Sequence, residues 1–269
     1  MAAVTGESLA TLQEQLSETL AASELPVADE LFGALDVLDS SAGLRRSLTD
    51  PAREAQERAG VVRGLFGAKA RPATVTVLEA IASQRWSRER DLGDAVERLA
   101  VAVVAAQAEK DGLRGLESLE SELLAFRRAV LSSHEVQRAL TDSQAPAESK
   151  QKLAARLSPE AGAEARLLID RAVSTPRGLR PEALVERFAE RIAARQQRWI
   201  AQVTVAKELD AAHRQRLSAS LDRYFGRELR LDVVVDPSVV GGIRVQVGDE
   251  VVDSTVATRL NDLHRRLAG

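Results

Sequence analysis

Hydrophobic residues recur at helical spacing through most of the chain, three or four positions apart among charged and polar residues. Prolines and glycines interrupt this pattern at intervals, as they do between short helices. The interruptions fall near Pro26, Pro51, Gly67 to Pro72, Gly112, Pro146, Pro159, and Pro176 to Pro181. Asp50-Pro51 resembles a helix start, with Asp as the cap and Pro at the first helical position. The pattern predicts short helices packed as bundles.

The helical part contains an internal repeat. Leu48-Thr49-Asp50 reappears 92 residues later as Leu140-Thr141-Asp142. The same offset, held without gaps, pairs Ser40-Ser41 with Ser132-Ser133, Arg46 with Arg138, Leu65 with Leu157, Arg85 with Arg177, Arg88 with Arg180, and Leu92 with Leu184. It also pairs the apolar residues Leu31, Val61, Val75, Ile81 and Ala100 with Leu123, Leu153, Leu167, Val173 and Ile192. We interpret this as a duplication with six helices per copy, the alternative being coincidence in a chain rich in Ala, Leu and Arg.

Residues 94–110 fit two positions of the repeat at once, the end of the first copy and the start of the second. We therefore predict one helix that is shared by two tandem bundles.

The spacing of hydrophobic residues changes after Trp199, from a helical period to one typical of strands. Apolar or alternating segments rich in β-branched residues predict strands at Ile200–Val205, Leu231–Val235 and Ile243–Val247. Between the first two strands, a predicted amphipathic helix carries Leu209, Leu217, Leu221 and Phe225 and ends at Gly226. Gly248-Asp249 predicts a turn into a short strand, Val251-Val252, and Asp253 or Ser254 then caps a last helix with Val256, Leu260, Leu263 and Leu267 on one face.

The predicted fold class is mainly α with a small α+β C-terminal module. We expect an extra helical copy at 1–92, a second helical bundle at 93–198 with helix 94–110 shared, and at 199–269 a module of order β-α-β-β-β-α.

Composition limits the partners that the chain could bind and the reactions that it could support. The 37 Lys and Arg against 40 Asp and Glu give a net charge of −3, and few aromatic residues are present, so no nucleic-acid partner is expected. With no cysteine there is no disulfide, thiolate nucleophile or Cys-ligated metal. The start of the sequence lacks a secretory pattern and the longest apolar run, Leu99 to Ala106, is too short to span a membrane, so we expect membrane contact only through a partner.

The histidines, glycines and arginines that could serve catalysis or binding do not form one recognisable site pattern in the sequence. His134, His213 and His264 are scattered without carboxylates at metal-ligand spacing, so neither a catalytic nor a metal site is expected. Gly241-Gly242 lies between strands, where it predicts a chain reversal instead of a phosphate loop, and no cofactor is expected. Arg187, Arg191 and Arg195 lie at i, i+4 spacing and predict either a contact with an acidic partner or a solvated helix face.

The C-terminal sequence carries a family resemblance. The run from Leu231 through Asp236-Pro237, Gly241-Gly242, Gly248 and Asp253 to Arg259-Leu260 is similar to the C-terminal signature of the delta subunits of bacterial F-type ATP synthases. Ser254-Thr255 stands where that family usually has Gly-Ser. Residues from about Gly93 onward resemble an ordinary delta subunit. The extra first copy resembles the extended delta chains of actinobacteria.

The resemblance implies a non-catalytic peripheral-stalk subunit that links the b-type stalk to the alpha/beta head and resists rotor torque. It implies a peripheral location on the cytoplasmic face of the plasma membrane, as part of the complex. The helical unit would grip N-terminal helices of alpha subunits in an apolar trough. The expected trough residues are Val101, Val104, Ala108, Leu167, Leu168 and Ala172. In the first copy, the corresponding residues would engage a second alpha helix or a stalk segment, and they are Leu9, Leu12, Leu16, Val75, Leu78 and Ala82. Plain core positions are the alternative for each of them, and a helical scaffold of another complex is the alternative function.

Overall fold

The computed structural model describes residues 3–226, 229–236, 239, 242–248 and 250–253. The chain divides into two compact units, residues 1–191 and 192–269, and the division falls inside the last helix of the bundle region. The first unit is helical, and the described strands belong to the second. Among the described residues, no helix has the length and apolar character that a bilayer span requires.

The helical region consists of twelve α-helices among the described residues. They are α1 (Ala3–Gln15), α2 (Ser17–Ala22), α3 (Leu25–Ser40), α4 (Ala42–Thr49), α5 (Ala55–Phe66), α6 (Pro72–Ser83), α7 (Glu89–Ala108), α8 (Gly112–Leu131), α9 (His134–Thr141), α10 (Ala147–Leu157), α11 (Ala163–Ser174) and α12 (Pro181–Gln196). A 3₁₀ turn at Glu109–Asp111 follows α7. The prediction of six helices holds for the second copy, α7 to α12. In the first copy the predicted first helix is split into α1 and α2, where the Ser17 hydroxyl bonds the Glu14 carbonyl.

Helix boundaries repeat at the 92-residue offset. α4 and α9 correspond at both ends, α5 and α10 begin 92 residues apart, and so do α7 and α12. Individual hydrogen bonds repeat as well. The Ser41 hydroxyl accepts from the Leu44 amide at the start of α4, and the Ser133 hydroxyl accepts from the Val136 amide at the start of α9. The duplication is therefore present in the local caps and not only in the hydrophobic pattern.

A carboxylate from a distant helix caps the same helix in both copies. Glu30 of α3 accepts the Arg71 amide at the start of α6 (2.9 Å) and the Thr74 hydroxyl (2.5 Å). In the second copy Glu122 of α8 accepts the Gly162 amide at the start of α11 (2.7 Å). A carboxylate at a helix N-terminus satisfies free amides and complements the helix dipole. These two bonds fix α6 on α3 and α11 on α8.

The gapless 92-residue alignment is wrong within one helix pair. The buried positions of α6 (Thr74, Val77, Leu78, Ile81, Ala82) recur in α11 (Ala165, Leu168, Ile169, Ala172, Val173) at an offset of 91 residues. The offset returns to 92 at α12, because the connection before it is one residue longer than the connection before α7. The predicted pairs Val75 with Leu167 and Ile81 with Val173 are therefore displaced by one position.

Asp50-Pro51 does not begin a helix, contrary to the prediction. α4 ends at Thr49, and the Asp50 carboxylate accepts the Ala52 amide (2.9 Å) in a turn that precedes α5. Asp142 does the same for the Gln144 amide in the second copy. Asp followed by Pro suits both a helix start and this turn, so the dipeptide alone cannot distinguish them.

α7 is enclosed by both copies. It contacts α2, α3, α4 and α6 of the first copy and α8 and α11 of the second. Its buried side chains lie all around the helix, with Leu92, Val96 and Leu99 on one side and Val101 and Val104 on another. A helix that is apolar on every side is stable only when it is covered on every side. α7 therefore packs against helices of both predicted copies.

The second unit contains a four-stranded sheet of order β2-β1-β3-β4. Its elements are β1 (Ile200–Val205), α13 (Ala211–Phe225), β2 (Arg230–Val235), β3 (Ile243–Val247) and β4 (Glu250–Asp253). β1 pairs in parallel with β2 and antiparallel with β3, and β3 pairs antiparallel with β4. One face forms the core, where Ala201, Val203, Val205, Val245 and Val247 lie with Leu221 of α13.

The predicted strands and the helix between β1 and β2 are confirmed. Gly226 ends α13 in the left-handed conformation at φ 68°, as its position predicted, whereas Leu209 precedes the helix instead of lying within it. The predicted last helix, with Val256, Leu260, Leu263 and Leu267, lies outside the described residues.

Candidate partner-binding surfaces

The six trough residues predicted in the second copy lie on two helices that contact each other. α7 carries Val101, Val104 and Ala108, and α11 carries Leu167, Leu168 and Ala172. Leu167 is half-buried, and the other five side chains are buried. The two helices that carry the predicted groups are thus in contact, and five of the six side chains belong to the packed interior.

The corresponding residues of the first copy lie on α1 and α6. Leu9, Leu12, Leu16, Leu78 and Ala82 are buried, and Val75 is half-buried. α1 differs from α7 in having a free side, since Val4, Glu7 and Thr11 are exposed. The two repeat-related helix pairs are therefore covered to different extents.

Two arginines join the copies through contacts that the sequence analysis did not identify. Arg171 of α11 bonds Asp36 of α3 at 2.6 Å, and its guanidinium lies over the Phe32 ring at 5.2 Å. The Phe32 ring also lies 6.5 Å from the Phe188 ring of α12. α3 of the first copy is thus packed on α11 and α12 of the second.

Arg177 makes the second joint. Its guanidinium bonds Asp39 of α3 at 2.6 Å, and Asp94 and Glu97 of α7 at 2.8 and 3.3 Å. Burial disfavours the charged guanidinium, but the hydrogen bond and charge of Asp39, together with Glu97 and Asp94, leave the pKa of Arg177 raised. The Arg177 backbone adopts a left-handed φ of 51°, which is uncommon for a residue with a side chain. Three carboxylates therefore hold one arginine in a strained connection between α11 and α12.

Glu97 is the most buried carboxylate of this cluster, with its side chain 1% exposed. Arg187 and Arg191 approach it from α12 at 3.9 and 3.4 Å. Burial lowers the pKa of Arg191 to about 10, although the negative charge of Glu97 opposes this shift. The interpretation as a solvated helix face is therefore wrong for Arg191, whose guanidinium lies against the buried Glu97.

No sequence signal would have revealed this cluster. Asp36 and Arg171 are 135 positions apart, and Asp39 and Arg177 are 138 apart. The repeat pairs Arg177 with the exposed Arg85, so the repeat alone suggests a surface residue. Only the packing of one copy on the other brings these charges together.

The C-terminal signature lies on the sheet unit. The Asp236 amide bonds the Val205 carbonyl at 2.8 Å, which joins the end of β2 to the end of β1. Gly242 and Gly248 adopt left-handed φ values of 86° and 59° at the two ends of β3, a conformation that glycine accepts readily. Asp253 is the last residue of β4. Pro237, Gly241, Arg259 and Leu260 lie outside the described residues.

The edge strands of the sheet expose apolar side chains. Val234 and Val235 of β2 are 52% and 46% exposed, and Val251 and Val252 of β4 are 46% and 39% exposed. Tyr224 near the end of α13 is 67% exposed. Exposed valines on edge strands offer apolar area to a partner.

The described residues contain no group of three or more His, Asp or Glu side chains placed to hold a metal ion. His134 is exposed, and His213 pairs at 2.7 Å with Asp210, which caps α13. His264 lies outside the described residues. The two described histidines thus have local surface roles.

Comparison with known proteins finds relatives that match the whole chain. Residues 96–267 match the sequence profile of the "ATP synthase delta (OSCP) subunit" family. Proteins described as "ATP synthase subunit delta" are 50% identical in Pseudarthrobacter chlorophenolicus and 48% identical in Renibacterium salmoninarum, each over 100% of both chains. The one from Kocuria rhizophila is 43% identical over 99% of both chains.

A chain in the cryo-EM structure of the Toxoplasma gondii mitochondrial ATP synthase hexamer aligns over 99% of this chain and 98% of its own length. Its sequence identity is 14% and its TM-score is 0.27, which is too low to establish a common fold.

Proposed function

The chain belongs to the ATP synthase delta (OSCP) subunit family, and from this premise we propose that it is a non-catalytic stator subunit of the F-type proton-translocating ATP synthase. The observation that carries the proposal is the match over the full length of both chains to relatives of that description. The proposed role is to link the b-type stalk to the alpha/beta head and to resist the torque of the rotor.

The mechanical role follows from statics. A rotating shaft exerts torque on the head, and the head turns with the shaft unless a stator opposes it. A subunit in this position needs tight and durable binding, and no bond has to be made or broken. Nanomolar affinity corresponds to about 12 kcal/mol, which an interface of ordinary size with apolar anchors can supply.

The helical unit is the part that we propose binds the head, through N-terminal helices of alpha subunits. Two repeat-related helix pairs are candidates for this contact. One is α7 with α11, including Val101, Val104, Ala108, Leu167, Leu168 and Ala172. The other is α1 with α6, including Leu9, Leu12, Leu16, Val75, Leu78 and Ala82. An amphipathic helix in an apolar groove is a recurrent mode of recognition, and both pairs present apolar residues at helical spacing.

The sheet unit is the part that we propose binds the stalk. Its exposed Val234, Val235, Val251 and Val252 support this assignment, because a partner would cover apolar area on the edge strands. The signature residues Asp236, Gly242 and Gly248 would act by shaping the ends of the strands. The chain would then contact the membrane only through the complex, on the cytoplasmic face of the plasma membrane.

Co-purification tests the proposal. An affinity-tagged chain is incubated with the purified alpha/beta head and, separately, with the b-type stalk subunit. We expect residues 1–191 to be required for retention of the head, and the intact sheet unit to be required for retention of the stalk. A tagged chain that retains neither partner would refute the stator assignment.

A further inference from the structure

An ion pair of the first copy has only its acidic half in the second. Arg63 of α5 forms a bidentate pair with Glu79 of α6, with distances of 2.7 Å to Oε1 and 3.0 Å to Oε2. The offset of 91 residues between α6 and α11 places Asp170 at the position of Glu79. The offset of 92 residues between the starts of α5 and α10 places Ala155 at the position of Arg63. The second copy therefore has the carboxylate but not the arginine.

Two hydrogen bonds show how α10 and α11 face each other. Gln151 of α10 donates to the Ser174 hydroxyl of α11 at 3.0 Å, and Arg166 of α11 donates to the Ser158 carbonyl just after α10 at 3.2 Å. Early residues of α10 thus lie opposite late residues of α11. The alanine lies four residues after Gln151 and the carboxylate four residues before Ser174, so the two positions face each other between these bonds.

Asp170 lacks compensation for its charge within its own bundle. Its side chain is half-buried, and its Oδ1 atom is buried without a hydrogen-bond partner in the part of the chain that the structure describes. Burial raises the pKa of the Asp170 carboxyl, and the positive charge of Arg166 opposes this shift without cancelling it. A partly desolvated carboxylate without a partner is unfavourable, and folded proteins generally supply one.

The first copy shows which group fits this position. A guanidinium binds a carboxylate through two hydrogen bonds, as Arg63 binds Glu79, and a lysine ammonium cannot reproduce that geometry. Leu167, three residues before Asp170 on α11, is half-buried and offers apolar surface to the methylene groups of such a side chain. The groove between α10 and α11 is thus complementary to an arginine that the second copy does not itself provide.

Resting on the proposed function, we propose that Asp170 binds an arginine side chain of the alpha/beta head in the groove between α10 and α11. The partner is the head because α10 and α11 belong to the helical unit, the part proposed to bind it. The contact is restricted to the second copy, since Arg63 of the same chain already occupies the equivalent carboxylate of the first.

Binding of the purified alpha/beta head to the full chain tests the proposal. We expect Asp170→Asn to weaken head binding by about tenfold, because the arginine of the head loses its carboxylate. The melting temperature of this variant should not fall, since Asp170 has no hydrogen bond or ion pair among the described residues to lose.

A second variant supplies the arginine from within the chain. Ala155→Arg recreates the pair of the first copy, so we expect it to raise the melting temperature while weakening head binding by about tenfold. A lower melting temperature in this variant would overturn the proposal, because residue 155 would then not face Asp170.

Matched controls separate this contact from general effects of charge. Glu79→Gln removes the paired carboxylate of the first copy, and Ala139→Arg adds a charge at an exposed position of α9, and both should leave head binding unchanged. Unchanged affinity in Asp170→Asn and Ala155→Arg would overturn the proposal, as would an equal loss in Ala139→Arg. Loss of stalk binding with intact head binding would overturn the choice of partner. An unmodified chain that does not bind the head refutes the proposed function of the helical unit itself.

Discussion

Arg58 closes the C-terminal end of α6 with its guanidinium. Although buried, it donates to the carbonyls of Ala82, Ser83 and Gln84 at 2.7, 3.0 and 3.2 Å, and to the Arg53 carbonyl at 2.5 Å. The last carbonyls of a helix lack partners within the helix, and a buried cation satisfies several of them together. Arg58 thereby connects α6 to the turn before α5.

We predict that Arg58→Ala lowers the free energy of unfolding by about 2–4 kcal/mol, because buried carbonyls lose charged donors. Lys150, 92 residues later and half-buried, is the matched control, and Lys150→Ala should cost less than about 1 kcal/mol. Urea denaturation followed by far-ultraviolet circular dichroism measures both. Equal losses for the two variants would contradict the proposed role of Arg58.

Glu30 gives a pH-dependent prediction. Burial alone would raise its pKa, but hydrogen bonds from Thr74 and from the Arg71 backbone and side chain outweigh burial and lower the pKa from 4.5. A carboxylate with a lowered pKa in the folded state stabilises the protein above its unfolded-state pKa. That stabilisation is lost as the pH falls through the lowered folded-state value.

Glu30→Gln should therefore be less stable than the unmodified chain at neutral pH, and the difference should shrink as the pH falls below about 4.5. Denaturation curves across this range measure the difference. A difference that stays constant down to about pH 3 would contradict the ionised-cap explanation.

Arg171 and Arg177, the two arginines that join the copies, show why contacts between individual residues could not be predicted from the sequence. Arg171 and Arg177 look like ordinary charged residues of an amphipathic chain, and their carboxylate partners are more than a hundred positions away. Helical periodicity identifies which residues are apolar and which are polar on each helix. It does not identify which helices of the two bundles meet.

At the scale of single elements, the junction of α7 and α8 requires a glycine. A Cβ at Gly115 of α8 would lie 1.9 Å from the Ala108 carbonyl oxygen of α7, far inside contact distance. Gly112, the first residue of α8, has a positive φ of 69°. After the 3₁₀ turn Glu109–Asp111, the first turn of α8 therefore packs against the end of α7 at a distance that leaves no room for a side chain at Gly115.

We predict that Gly115→Ala destabilises the helical unit by more than about 2 kcal/mol, since backbone must move to accommodate the methyl group. Gly64 on α5 has open space around its Cβ position, so Gly64→Ala should stabilise by about 0.4–1 kcal/mol. Thermal unfolding compares the pair. We expect the melting temperature to fall for Gly115→Ala and to rise for Gly64→Ala. Shifts of the same sign for the two variants would contradict the explanation given for this junction.

Gly242 of the sheet unit is also constrained, in this case by its backbone conformation. Its φ of 86° lies where a β-branched residue is strained, so Gly242→Val should impair folding of the sheet or binding of the stalk. Gly242→Asn is the milder comparison, because asparagine tolerates left-handed backbone. Circular dichroism and stalk pull-down report the two effects, and normal stability with full stalk binding in the valine variant would refute the prediction.

The helices and strands were largely predictable, because hydrophobic periodicity and helix-breaking prolines and glycines are local features of the sequence. Residues spaced at helical intervals fold into the expected helices, and alternating β-branched segments fold into β1, β2 and β3. The errors have local causes as well. Asp50-Pro51 suits two kinds of turn, and the one-residue slip between α6 and α11 leaves apolar side chains of similar size at neighbouring positions.

At the scale of the whole molecule, duplication does more than lengthen the chain. α7 packs against α2, α3, α4 and α6 of the first copy and against α8 and α11 of the second. α3 and its acidic side chains then join the copies through Arg171 and Arg177. The first 92 residues are thus joined to the second copy by ion pairs of two buried arginines, which the repeat alone did not predict.

Coupling between ATP hydrolysis and proton pumping tests the stator function most directly. Inverted membrane vesicles from a strain that lacks this chain are supplied with ATP, and the pH gradient and phosphate release are measured before and after purified chain is added. We expect phosphate release without a pH gradient in the absence of the chain, and recovery of the gradient once the chain is added. Full pumping without the chain, or no recovery once the purified chain has been shown to rebind, would contradict the stator function.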